Sequence, residues 1–279
     1  MSATATDLIG SISHAKRRFQ SGRSPGIRAG RLALQRGAVA QLALVACAAL
    51  LVVGLSGCGH SCEGSRRQGA RIEQPIESVV VDIRSGHVAI RGAAVDHVLY
   101  EARINGGEEL DVDVLDTRLR LEQDESSCCP CSIDIDITVP EGTEVIVDTG
   151  AGDIDVLGFT GDLTASTGSG GIQVADYRGA NLTLDTGAGT IDAVRLYAQS
   201  LTAESSSGRV TAEFEESPID ADLGSGAGTV SLTAPSGRYF VDARTGAGDI
   251  EITGIEHDPN AERRLVLRSA SGDVVVRGK

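Results

Sequence analysis

Residues 145–156 read VIVDTGAGDIDV, and variants of this phrase recur along the rest of the chain. The later copies are LTASTGSGGIQV (163–174), LTLDTGAGTIDA (182–193), LTAESSSGRVTA (201–212), ADLGSGAGTVSL (221–232), VDARTGAGDIEI (241–252) and LVLRSASGDVVV (265–276). An earlier copy, VVVDIRSGHVAI, stands at 79–90. The last glycine of each copy falls at Gly86, Gly152, Gly170, Gly189, Gly208, Gly228, Gly248 and Gly272, so after the first the spacings are 18, 19, 19, 20, 20 and 24. A fixed period of this size, repeated this often, is the mark of a solenoid in which each copy is one turn.

Counting from that glycine gives the turn its anatomy. Before it, apolar residues alternate at two positions: Val145, Leu163, Leu182, Leu201, Ala221, Val241 and Leu265, then Val147, Ala165, Leu184, Ala203, Leu223, Ala243 and Leu267. The same row continues with Thr149, Thr167, Thr186, Ser205, Ser225, Thr245 and Ser269, then with Ala or Ser just before the glycine. Alternation of this kind is one face of a strand. Beyond the glycine the phase shifts by one, to Ile154, Ile172, Ile191, Val210, Val230, Ile250 and Val274. A phase shift at a glycine is what a corner needs, since the missing Cβ permits a sharp bend and close stacking. The expected fold is therefore all-β: a parallel, β-helix-like solenoid of about 20 residues per turn. The Thr/Ser row is expected to bond along the stack or to backbone groups of the corner.

The segment 93–144 breaks the period and alternates as HVLYEARI, LDVDVLD, RLRLEQ and SIDIDITV, which predicts an antiparallel region at the N-terminal end. Regular repeats are assigned to 145–279. Gly254–Arg263 is an insertion in the last repeats. No C-terminal cap is visible, so Arg277 and Lys279 are expected to guard the final edge with charge. Phe159, Tyr177, Tyr197 and Phe214 sit at the returns between turns, and are expected to stack as a packing ladder or to line an exposed edge.

Charge divides along the chain. Of 25 Lys/Arg and 39 Asp/Glu, seven and one fall in residues 1–57, leaving 18 basic and 38 acidic residues beyond them. So acidic a surface repels phosphate backbones, which argues against nucleic acid as a partner. Trp is absent and aromatics are only 3%, so stacking on sugar rings has few platforms.

The N-terminal part carries a basic stretch and then the apolar run LALVACAALLVV at 42–53, too short for a comfortable membrane span and right for an export signal. It leads into Leu55-Ser56-Gly57-Cys58. This resembles the lipobox of bacterial lipoproteins. The resemblance implies a signal peptide over 1–57, acylation of Cys58, and a lipid-proximal linker over 58–75. Gly59 follows the cysteine where some Gram-negative sorting systems place a retaining Asp, so a lipid-anchored site in the cell envelope, at the outer membrane, is expected. Of the other cysteines, Cys62, Cys128, Cys129 and Cys131 would be exported, where thiols oxidise, and a disulfide from Cys62 to the cluster is favoured over a metal site.

The run ITVPEGTEVIVDTGAGDIDV and the turns after it resemble the putative-adhesin domain family of bacterial envelope proteins, over 76–279. That family implies a β-solenoid and assigns no binding residues. Acidic side chains decorate the repeats, and Asp153, Asp155, Asp249 and Glu251 are weak candidates for cation binding. Glycine-rich calcium repeats have a period about half as long, and an Asp where Ile154 stands here. Neither GxSxG, HExxH nor a phosphate-binding loop occurs, and no cofactor is expected. The expected function is non-enzymatic: a membrane-tethered envelope protein presenting a rigid solenoid to a protein or a surface ligand. A scaffold that assembles through its ends, and a carbohydrate-active β-helix enzyme, are the alternatives.

Overall fold

In a computed structural model, the described residues are 64–106, 109–123 and 132–279. They form strands and no helix. The strands are β1 (Ser65–Ile72), β2 (Ser78–Ser85), β3 (Val88–Ala93), β4 (Val98–Asn105), β5 (Leu110–Leu115), β6 (Arg118–Gln123), β7 (Ser132–Pro140), β8 (Glu144–Ala151) and β9 (Ile154–Leu157). They continue as β10 (Leu163–Ser169), β11 (Ile172–Ala175), β12 (Asn181–Ala188), β13 (Ile191–Leu196), β14 (Ser200–Ser207), β15 (Val210–Phe214), β16 (Asp220–Ala227) and β17 (Val230–Ala234). The last are β18 (Arg238–Thr245), β19 (Ile250–Thr253), β20 (Glu256–His257), β21 (Arg264–Ser271) and β22 (Val274–Gly278).

Each repeat is one rung: a strand in the first sheet, a glycine corner, and a strand in the second. Eleven strands make each sheet. Rungs pair in parallel with identical repeat positions opposite one another, as in Leu163↔Leu182 and Ile172↔Ile191. Apolar rows from both sheets face inward and merge into one core from Ile76 to Val276. Each inward Ile, Leu or Val contributes roughly 1.5–3 kcal/mol by leaving water.

The corners explain the repeat's glycines and hydroxyls together. A Cβ on Gly152 would lie 1.9 Å from the carbonyl oxygen of Gly86 on the next rung, and one on Gly189 would lie 1.8 Å from that of Gly170. The stacked backbones therefore leave no room for a side chain. The buried hydroxyl row bonds to the same carbonyls: Thr167 Oγ1 donates to Gly152 O (2.9 Å), Thr186 to Gly170 O (3.0 Å), Ser205 to Gly189 O (3.0 Å) and Ser225 to Gly208 O (2.7 Å). These four hydroxyls thus satisfy carbonyls that the corner takes out of the sheet ladder, whereas Thr149 Oγ1 is buried without a hydrogen-bond partner. The Ala or Ser just before the corner glycine, expected on the inner face, is exposed instead. The preceding Gly150, Gly168 and Gly187 stack against neighbouring backbone, and there the strand turns outward.

Both ends depart from sequential stacking. The rung β2–β3 lies between β6–β7 and β8–β9, so the first turn is the second laid down in space. The last rung, β21–β22, lies between β16–β17 and β18–β19. Thr245 Oγ1 accordingly donates to Gly272 O (2.7 Å), and Ser269 Oγ to Gly228 O (2.9 Å). The final edge is therefore β18–β19, and Arg277, expected to guard it, pairs on both sides with Thr233 and Thr253. Lys279 lies against Glu213 and Glu215 (3.1 and 2.9 Å).

Within 93–144, β4 and β5 pair only antiparallel, while β6 and β7 each pair antiparallel on one side, with β5 and β4, and join the stack in parallel on the other. Residues 65–72, expected within a linker, form β1, antiparallel to β4. The insertion Gly254–Arg263 carries β20, which pairs with Arg238 and Tyr239. Among the described residues no helix is long and apolar enough to cross a membrane, which says nothing of β-barrels.

Candidate functional site

The outer face of the second sheet, over β3, β7, β9, β11 and β13, gathers polar groups from several rungs. His87, Arg91, Asp136, Asp155, Gln173 and Asp192 line a shallow groove there. Parallel register creates it: Asp155, Gln173 and Asp192 occupy one repeat position on successive rungs. His87 Nε2 lies 3.5 Å from Asp155 Oδ2, with both side chains about half exposed. The other oxygen of Asp155 is buried without a hydrogen-bond partner. An adjoining groove lies between β1, β4 and β7, where Arg67, Glu101, Arg103, Asp134 and Asp136 mix both signs of charge. The described lining of either groove carries no hydroxyl or thiol nucleophile. What this face can do is hydrogen-bond and pair charge with a polar ligand.

Much of the acidic decoration has structural work. Asp153 Oδ1 accepts the Gly171 N–H (2.7 Å), Asp134 Oδ1 the His87 N–H (3.1 Å) and Asp273 Oδ1 the Asp249 N–H (3.0 Å). A carboxylate at the corner thus satisfies an amide of the adjacent rung. Of the four candidate cation ligands, Asp153 is taken up this way, Asp155 faces His87, and Glu251 lies 3.6 Å from Arg277. Asp249 and Glu251 stand on the edge rung, several rungs from Asp153 and Asp155. Among the described residues no three His, Cys, Asp or Glu gather as a metal site. Cys58, Cys62, Cys128, Cys129 and Cys131 lie outside the described residues.

At the returns, Phe159, Tyr177 and Phe214 are buried, with Phe159 and Tyr177 stacked at 6.2 Å. They form the packing ladder, but Leu196 holds the position expected for Tyr197, opposite Phe214. Tyr197 sits outside with Arg178 over its ring at 3.7 Å. The backbone shift comes at Arg195, which takes a φ of 53° where the strand bulges. The Tyr177 hydroxyl bonds the carbonyls of Gly161 and Asn181, and burial pushes its pKa well above the ordinary range, so it stays neutral. Beside it on the surface, Arg195 makes a two-point bond to Asp176 (2.7 Å each), which lowers the Asp176 pKa and raises that of Arg195. The hydrogen bonds to Glu215 and Glu213 likewise raise the Lys279 pKa.

Sequence reasoning missed the mixed-charge groove because β1 lacks the glycine corner. Its only signal was the alternation of Gln68, Ala70 and Ile72.

Residues 76–277 match the Toastrack DUF4097 family. The chain belongs to that family. Three solved structures resemble the Toastrack fold of this chain at low similarity. A putative cell adhesion protein from Clostridium sporogenes is 10% identical with a TM-score of 0.36, covering 77% of this chain and 100% of its own. A putative adhesin from Bacteroides fragilis is 15% identical with a TM-score of 0.40, over 78% and 98%. One from Parabacteroides merdae is 10% identical with a TM-score of 0.32, over 78% and 97%. No curated protein matches the chain.

Proposed function

We propose that this Toastrack protein is a non-enzymatic, lipid-tethered component of the cell envelope that offers a rigid polar surface for adhesion or for a protein partner. The observation that carries the proposal is the way the repeat uses its side chains. Apolar rows and hydroxyls are consumed by one continuous core, and the corner carboxylates Asp134, Asp153 and Asp273 by neighbouring amides. What remains outward is flat, charged and rigid, which suits recognition by a surface. The tether is short: Cys58 stands six residues before Gly64, at most about 20 Å of extended chain. A solenoid held so close by acyl chains on Cys58 stays at the membrane. Gly59 in place of a retaining Asp points to the outer membrane.

The test is protease shaving of intact cells, with lysed cells and a Cys58→Ala variant alongside. Digestion on intact cells supports a surface ligand, and protection until lysis redirects the partner to the periplasm. A Cys58→Ala chain that still fractionates with membranes as the parent does would sink the lipid tether.

A further inference from the structure

The two ends of the stack are unequal, and the inequality points to what covers them. At the C-terminal end β19 forms the edge of the second sheet, and among the described residues it pairs only with β22. Ile250 and Ile252 are 46% and 44% exposed, whereas the matching Val274 and Val276 on the next rung are 0%. Among the described residues the edge therefore keeps core-type side chains with nothing over them, along with an unpaired row of backbone N–H and C=O groups. The insertion covers only the other half of this end. There β20 pairs with Arg238 and Tyr239, and His257 Nδ1 accepts the Val241 N–H (3.1 Å).

At the opposite end β1 is the edge of the same sheet. It is antiparallel to β4, which is antiparallel to β7, which is parallel to β3. So β1 runs in the same direction as β19, and one can continue the other's ladder in parallel. Ala70 and Ile72 turn toward the core, and Arg67 and Arg71 turn out. The charges oppose: Ser65–Ile72 contains three arginines and no acid, while residues 245–262 contain Asp249, Glu251, Glu256, Asp258 and Glu262 and no Lys or Arg.

We propose that the β19 edge docks the β1 edge of a second copy of this chain, head to tail. In phase, Ala70 and Ile72 of one copy cover Ile250 and Ile252 of the next, and Arg71 falls beside Glu251. Tail-to-tail pairing would set two acidic edges against each other, which is unfavourable. A head-to-tail contact uses two different surfaces, so it leaves a free end on each copy and continues as an open row.

The full chain, held in detergent, is followed by sedimentation velocity as a concentration series. Two variants break one end each: Ile250→Arg/Ile252→Arg at the tail and Arg67→Glu/Arg71→Glu at the head, with Glu251→Arg as a milder tail variant. The parent should show a weight-average mass that roughly doubles over about a tenfold rise in concentration, by mass action. Each end variant alone should hold one size throughout. The two mixed should form a discrete dimer, because one contributes an intact head and the other an intact tail. A parent of constant size overturns the proposal. So does a parent that stops at dimers with no rescue on mixing, or a tail variant that grows as the parent does.

Discussion

Gly189 and Gly142 show two different reasons for glycine in this chain. Gly142 has a φ of 78° and open space where a Cβ would go. Gly189 would place its Cβ 1.8 Å from Gly170 O and 3.0 Å from Thr186 Oγ1. Alanine at 142 meets only backbone strain, about 1 kcal/mol. Alanine at 189 must push two rungs apart and disturb the Thr186 bond, costing about 3 kcal/mol. Urea unfolding of both variants should show the 189 variant losing clearly more, and equal losses would mean that the corners are not closely stacked. The Asp176–Arg195 pair is legible by pH. Its hydrogen bond holds Asp176 below the ordinary 3.8. A lowered folded pKa means that its contribution is present above the unfolded value and is lost as pH falls through the folded one. Carboxyl NMR should put the Asp176 midpoint below 3.8, and Arg195→Gln should bring it back up. Because both side chains face solvent, the effect on overall stability is small.

At the scale of the element, the rungs were legible because their grammar is local. Two apolar positions, a hydroxyl, a glycine and a shifted apolar pair make a strand, corner and strand wherever they occur. Elements outside that grammar were not. The strand Ser65–Ile72 carries three arginines and sits at an edge, where one side chain in two faces water and no partner sequence reveals itself. The slip from Tyr197 to Leu196 in the return ladder depends on a bulge at Arg195, a residue type that gives no hint of positive φ. The groove around His87 was illegible for a related reason. Its residues come from non-adjacent turns, brought together because β7 and β9 flank β3. The acidic candidates were visible as residues, but their corner bonds to neighbouring amides depend on rung order, which repeat spacing alone does not encode.

At the scale of the whole molecule, rung order is the feature that most constrains behaviour. The chain lays down β16–β17, skips a place, forms β18–β19, and returns with β21–β22 to fill the gap. In the finished fold the last rung fills that place and closes the core. Its Leu265, Leu267, Val274 and Val276 are fully buried, and among the described residues β19 pairs with no other strand. Removing Arg264–Lys279 leaves Val241, Ala243, Ile250 and Ile252 one rung away from Ala221, Leu223, Val230 and Leu232. The vacated slot demands the pattern that 241–252 itself carries, because Leu265 now pairs with Val241 on one side and Ala221 on the other. The three-residue connection Pro235–Gly237 spans the skip, so it can also span the shorter single step. The chain cut after Arg263 should therefore keep its fold and reseat β18–β19 directly on β16–β17. It should lose on the order of 10 kcal/mol of burial along with the deleted rung. Hydrogen exchange decides it: amides of Glu251 and Thr253, which face the rung beneath, remain protected if the rung reseats. Full exchange of 238–253 at the rate of an open chain would show that each repeat is tuned to its own place and that equivalence of pattern is not enough.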